Sequence, residues 1–215
     1  EITTRLVGSE MCIRDRVYPF TDSQILGIST FPYSLKDFFL EGTQQVSASW
    51  ITLENLSFPY CISINSSYIY EQSTDERINQ NDAAITLAHE LGHYLGLRHV
   101  FSEGGTTSMC TDTDYCKDTP SYNRSEYEQW LNNLDKQNKY QLKDLAKRYS
   151  CEKGEYEAHN IMDYAYCFYN EITLEQRKRI RHILNYSPLI PGPKESRIDT
   201  RGVQGRLNLP ICIMK

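Results

Sequence analysis

The chain has 215 residues, 40% of them hydrophobic, and a formal net charge of −5. That is enough apolar material for one good core, or for a catalytic domain with a small C-terminal subdomain. The acidic balance gives no reason to expect nucleic-acid binding, and no apolar run approaches the roughly 20 residues needed to span a bilayer.

In chain order, the stretch Glu10-Met-Cys-Ile-Arg-Asp-Arg16 resembles the translation of a transposase-end sequencing adapter. Residues 1–16 are therefore expected to be a non-native segment, and Cys12 is left out of every argument. Any signal region, lipid-attachment cysteine or pro-segment is expected to lie upstream of this chain. Residues 20–80 read as mixed structure, with strand candidates at 47–53 and 61–70, rich in Ile, Tyr and Ser. A strand running along a cleft could bind an extended peptide by main-chain pairing.

Residues 89–99 read His-Glu-Leu-Gly-His-Tyr-Leu-Gly-Leu-Arg-His. His89 and His93 are four apart, so on a helix they share one face. A helix is expected over about 82–96, capped by Asn81 or Asp82. Ala84, Ala88, Leu91 and Leu95 form an apolar stripe expected to face the core. Gly96 lets the helix end in a left-handed turn at no steric cost, after which His99 can approach the same ion. Three histidine ligands leave a fourth zinc position open, as a catalytic site requires. Glu90 lies beside the metal but not on it. The short His-Glu-x-x-His spacing alone can arise by chance on an amphipathic helix; Gly96 and His99 in register make the match specific.

Residues 101–121 are dense in Gly, Thr, Asp and Ser and read as loop. Residues 125–149 read as helix broken once, with Tyr127, Trp130, Leu131 and Leu134 on its apolar side. Thr173-Leu-Glu-Gln176 is a capping box opening a last helix whose Ile180, Ile183 and Leu184 face inward. The basic run Arg177-Lys178-Arg179-Ile180-Arg181-His182 on that helix reads as a solvated face. From Ser187 the tail carries Pro188, Pro191 and Pro193 and is expected to be extended.

Without Cys12, six cysteines remain: Cys61, Cys110, Cys116, Cys151, Cys167 and Cys212. An even count suits an oxidising compartment. Four of them lie between the zinc helix and the last helix and allow three pairings, among which the sequence does not choose. Cys151 with Cys167 and Cys110 with Cys116 are the expected pairs.

A second motif, Asn160-Ile-Met-Asp-Tyr164, follows His99 by about 60 residues. With 89–99 it resembles the metzincin clan of zinc peptidases, in which a tight turn places a methionine beneath the metal. Met162 matches that methionine and Tyr164 the tyrosine that some metzincins place near the zinc. Within the clan the chain most resembles the pappalysins, through residues 89–99, Asp-Tyr-Cys-Lys-Asp-Thr-Pro (114–120) and 160–164, with a weaker echo in Leu26-Gly-Ile-Ser-Thr-Phe-Pro32. The resemblance spans roughly 24–186, and the stretch of about 122–150 looks like an insertion, so substrate preference is not carried over.

The resemblance implies an α+β, metzincin-type zincin fold: a mixed twisted sheet packed on an active-site helix, with a mainly helical and loop-rich C-terminal subdomain. Residues 17–215 are then a single metallopeptidase catalytic domain, with an upper part over about 17–98, a lower subdomain over about 99–186 and the tail over 187–215. It implies a zinc-dependent endopeptidase, monomeric and secreted or at the cell surface, acting on a protein or peptide substrate. Glu90 would assist a zinc-bound water and Tyr164 stabilise the oxyanion. It also implies Ca2+ at Asp114, Thr119 and the carbonyl of Cys116, although a solvated acidic turn would read the same. The alternatives are a non-catalytic binding or adhesion module on a zincin scaffold, and a different metzincin subfamily.

Overall fold

The computed structural model describes residues 15–18, 20, 22, 24–52, 55, 61–74, 78–103, 110–135, 138–150, 152–164 and 166–190. Four α-helices, three 3-10 helices and seven short strands lie among the described residues, in an α+β arrangement. The central sheet has the order β1-β5-β2, from β1 (Asp15–Tyr18), β2 (Gly27–Ser29) and β5 (Ile62–Asn65). β5 runs parallel to β1 and antiparallel to β2, with Ile62 opposite both Asp15 and Ser29. All four β5 residues are buried, which suits the middle strand. β1 begins inside the adapter-like run; ladder hydrogen bonds come from backbone groups, so pairing makes little demand on side-chain identity.

The two strand candidates fare differently. The 61–70 candidate contains β5 and then turns into a 3-10 helix at Ser66–Tyr68. The 47–53 candidate carries a 3-10 helix at Ala48–Trp50, and the strand sits earlier, as β4 (Gln44–Val46), parallel to β3 (Tyr33–Leu35). Ser47 and Ser49, whose hydroxyls lie 3.0 Å apart, favour the tight turn over continued ladder.

α1 (Ala83–Tyr94) starts where Asp82 accepts hydrogen bonds from the Ala84 and Ile85 amides at 2.8 and 3.2 Å. It ends at Gly96, φ +88°, with Leu97 N–H donating to Gly92 O and Gly96 N–H to His93 O, both at 2.9 Å. A Cβ on Gly96 would stand 2.7 Å from Ile183 Cγ1, so both conformation and space require glycine there.

The expected core stripe of this helix holds at Leu95, which packs on a core cluster, but fails at Ala84 and Leu91. Leu91 is 43% exposed and Ala84 is exposed, while Thr86, His89, Glu90 and Tyr94 are buried. β2 lies against Thr86 and Glu90, since a Cβ on Gly27 would meet both side chains within 3.0 Å. The polar face is therefore the one the fold covers, and apolar spacing alone misassigned it.

Past the site come α2 (Arg124–Asn132), α3 (Leu142–Leu145), the hairpin β6 (Lys147–Ser150) and β7 (Gly154–Glu157), and α4 (Leu174–Tyr186). The helix expected over 125–149 is thus broken and gives way to strand at its end. α4 opens with the expected capping box of Thr173 and Gln176. Ile183 is buried, but Leu184 is 43% exposed. The basic run is solvated only in part. Arg179 is buried and donates to Gly96 O (3.1 Å) and Glu41 O (3.0 Å), and His182 donates to Phe38 O (2.9 Å). Ser187, Leu189 and Ile190 are buried, so the tail is packed before residue 191; the remainder of the expected extended tail lies outside the described residues.

Two apolar clusters meet on α1. Tyr94 joins Ile62, Ile64, Ile183, Leu189 and Ile190 on the sheet side. Leu97, Val100, Phe101, Tyr122, Tyr127 and Met162 form the other, below the helix.

Candidate active site

His89, His93 and His99 turn their Nε2 atoms toward one point. The three pairs stand 3.1 Å (89–93), 3.2 Å (89–99) and 3.0 Å (93–99) apart. Three nitrogens bound tetrahedrally to zinc at about 2.0–2.1 Å would be separated by about 3.3 Å, so the triad fits that ion. Among the described residues it is the group of His, Cys, Asp and Glu whose ligand atoms come close enough to hold a metal.

Each ring is held by its other nitrogen. His89 Nδ1 donates to Ile161 O and His93 Nδ1 to Leu97 O, both at 2.8 Å, and His99 Nδ1 bonds the Glu103 carboxylate. These partners accept, so each Nδ1 carries the proton and each Nε2 presents a lone pair. Burial, and then the neighbouring histidines, push His89 down to about 3 and His93 to about 4. His89 and His93 are therefore neutral near pH 7, the form that binds metal.

Glu90 is one residue round the helix from His89 and is buried beside Gly27 and Thr86. Burial lifts its carboxyl to about 7, close to the working pH of a general base. Met162 is fully buried under the helix; a Cβ on Gly92 would collide with its sulfur. Its turn is fixed by Asn160, which accepts from Met162 N at 3.0 Å and exchanges two hydrogen bonds with Gln176 at 2.8 and 3.0 Å. The same Gln176 caps α4, so one residue ties the methionine turn to the last helix.

Tyr164 follows on that turn. Its ring centroid lies 4.4 Å from that of His99 and 5.4 Å from that of His89, and the side chain is 38% exposed. Partial burial and then the charge of Glu90 raise its hydroxyl pKa, keeping the proton available for donation. A cleft of about 520 Å³ opens against His93, Arg98 and Glu103, with Ser29, Phe31 and Tyr33 on its far wall. β2, an edge strand of its sheet, leads into that wall.

The site residues expected from spacing, His89, Glu90, His93 and His99, come together with Met162 and Tyr164. Asp114, Thr119 and Cys116 also meet: the Thr119 hydroxyl lies 2.6 Å from both Asp114 Oδ2 and Cys116 O. Both disulfide expectations fail. Cys116 and Cys167 are buried free thiols, and Cys110 is disulfide-bonded to a partner outside the described residues; Cys151 also lies outside them. The Cys116 amide instead donates to Asp114 Oδ1 (2.9 Å), and the Cys167 sulfur bonds Ala158 O (3.2 Å), so each cysteine serves its own loop. Three charged residues around the site escaped the sequence: Glu103 behind His99, Arg124 beside Tyr164, and Arg148 behind the methionine turn. Charged residues at these separations carry no recognisable spacing.

Over 108 residues, 49% of this chain, it is 37% identical to an extracellular metalloprotease of Arthroderma benhamiae and equally to one of Trichophyton verrucosum. The chain spans about a third of the length of these curated relatives, the match covering 32% of each. Mature mirolysin of Tannerella forsythia, solved in complex with a cleaved peptide, aligns over 80% of this chain and 52% of its own at 21% identity and a TM-score of 0.46. No described helix is long and apolar enough to cross a membrane. The family model described as pregnancy-associated plasma protein-A, peptidase family M43, matches residues 51–185, which contain the histidine triad, Glu90 and the methionine turn; the chain belongs to that family of metallopeptidases, the pappalysins.

Proposed function

We propose that this chain is the catalytic part of a zinc-dependent endopeptidase in which Glu90 is the general base and Tyr164 the oxyanion donor. The observation that carries the reading is the convergence of three imidazoles beside one buried carboxylate at the edge of a cleft. Zinc held by His89, His93 and His99 would supply Lewis acidity, activating water near neutral pH and polarising a carbonyl. Glu90 takes a proton from the attacking water and returns it to the departing amine. The Tyr164 hydroxyl donates to the oxygen on which charge develops as the scissile carbonyl becomes tetrahedral. The cleft is open at the surface and bounded by an edge strand, which suits an extended segment in the middle of a chain, so the substrate is a protein or peptide cut internally.

The test is cleavage of a mixed peptide library by the full chain, with the chelated chain and the chelated chain resupplied with zinc alongside. Internal cuts that vanish on chelation and return with zinc are expected. A folded, zinc-loaded chain that cuts nothing would favour a binding module on the same scaffold.

Two subsidiary readings follow. Secretion is supported by the extracellular relatives and by the disulfide at Cys110. A structural calcium ion at Asp114, Thr119 and the Cys116 carbonyl is supported by their shared, buried oxygens. Burial and neighbouring Asp112 lift Asp114 to about 7, a cost that a bound cation would remove. Calcium should raise the thermal midpoint in wild type and not in Asp114→Ala; a midpoint indifferent to calcium contradicts it.

A further inference from the structure

The stretch between Tyr122 and Ser150 contributes no ligand to the triad, yet it surrounds Tyr164 from behind. Arg148, on β6, has a side chain with no exposed surface and an ion pair to the equally buried Asp163, Nε to Oδ2 at 3.4 Å. Its Nη2 donates to Tyr164 O at 3.1 Å, and its Nη1 to Leu145 O at 3.0 Å. The guanidinium lies 3.6 Å from the centroid of the Tyr127 ring, which fixes its plane. Asp163 is held in turn by the Tyr122 hydroxyl at 2.6 Å and accepts from the Tyr164 amide at 2.7 Å. One guanidinium thus grips the peptide on both sides of Tyr164, by its carbonyl directly and by its amide through Asp163. On the outward side, the Arg124 guanidinium sits 4.8 Å from the Tyr164 ring centroid and 4.9 Å from that of Phe101.

We infer that Arg148 is a positioning residue for Tyr164: it sets the backbone from which the tyrosine hydroxyl reaches the reacting carbonyl. The inference rests on the proposed role of Tyr164. An arginine suits the task because its rigid fork can serve a carboxylate and several carbonyls at once. A lysine at the same point has one charged nitrogen and cannot hold both sides of the peptide. The pair is fully buried, so its desolvation is costly, and its return is a single orientation of the turn rather than net stability.

The test is a double-mutant cycle on the zinc-loaded full chain with Arg148→Lys, Tyr164→Phe and the double variant. Readouts are kcat and KM separately, zinc content, and affinity for a phosphinic peptide that mimics the tetrahedral state. Arg148→Lys should lower kcat by about 10- to 100-fold, the range typical of supporting residues, with KM little changed and zinc retained. It should weaken the phosphinic peptide in proportion to the loss in kcat. In the Tyr164→Phe background the same change should cost nothing further. An equal loss in both backgrounds would overturn the inference while leaving Tyr164 its role. Full kcat in Tyr164→Phe alone would remove both. Should Arg148→Lys fail to fold, Asp163→Asn takes its place in the cycle, since it keeps the volume and an acceptor for the Tyr164 amide. A loss confined to the Tyr164 background then supports the inference, and an equal loss in both overturns it.

Discussion

At the scale of single residues, the site is built by giving each histidine a partner for the nitrogen that does not face the metal. Two partners are backbone carbonyls and cannot be mutated away, but the third is the Glu103 carboxylate. Glu103 also pairs with Arg98 at 3.4 Å, so it is itself held in place. Glu103→Ala should weaken zinc binding by about 10- to 100-fold, read by competition with a chromophoric chelator. An unchanged affinity would mean that His99 orients itself without help.

Glu90 and the histidines also make opposite contributions to stability in the metal-free protein. Glu90 has a folded pKa raised from 4.5 to about 7, so between those values the folded state binds more protons than the unfolded, and stability falls as pH rises. His89 and His93, lowered from 6.5 to about 3 and about 4, act the other way, and their contribution is lost as pH falls below 6.5. Glu90→Gln should therefore stabilise the zinc-free chain by about 1–3 kcal/mol at about pH 8 and hardly at all at about pH 4, as read by urea unfolding. Equal effects at both pH values would contradict a buried, strained carboxylate.

Among the elements, α1 and its turn are the most constrained. Gly96→Ala would need a left-handed alanine and would drive its Cβ against Ile183, so a loss of roughly 1–3 kcal/mol is expected in urea unfolding. The thiols give an independent check on the loops. Burial pushes Cys116 and Cys167 up to about 12, so neither should react with maleimide in the native protein and both should react once it is unfolded. Rapid native labelling of Cys116 would mean that the 112–120 loop opens.

The element scale also separates what could be read from the chain from what could not. The triad, Gly96 and the capping box at Thr173 were legible because each depends on fixed local spacing: 3.6 residues per turn, a positive φ, or a cap three residues from its partner. The methionine turn was legible only through the family resemblance, since a single methionine carries no spacing of its own. The buried face of α1 was not legible, because β2, far earlier in the chain, decides which side is covered, and no helical period encodes that. Arg179 was misread for a related reason. A basic residue among basic neighbours looks solvated until a distant helix end, here Gly96 O, supplies the acceptor. The cysteines failed because pairing depends on loops meeting in space, and parity of count says nothing about which cysteines stay free within their own loops.

On the scale of the whole molecule, the candidate site sits where the two apolar clusters meet. Tyr94 anchors α1 to the sheet, and Leu97 and Met162 anchor its end to the cluster around Phe101 and Tyr122. Gln176 and Arg179 then bind α4 to the methionine turn and to the end of α1. The histidines are thereby fixed from above and below, while the cleft beside them stays open. Such preorganisation is what lets one carboxylate and one hydroxyl act on a reacting bond without first rearranging. The most direct test compares zinc-loaded wild type with Glu90→Gln on one cleaved peptide. Retained zinc with kcat reduced by at least about 100-fold, the lower range for a lost general base, is the expected result. Turnover within a few-fold of wild type, with zinc in place, would contradict the role of Glu90 and with it the central reading of the site.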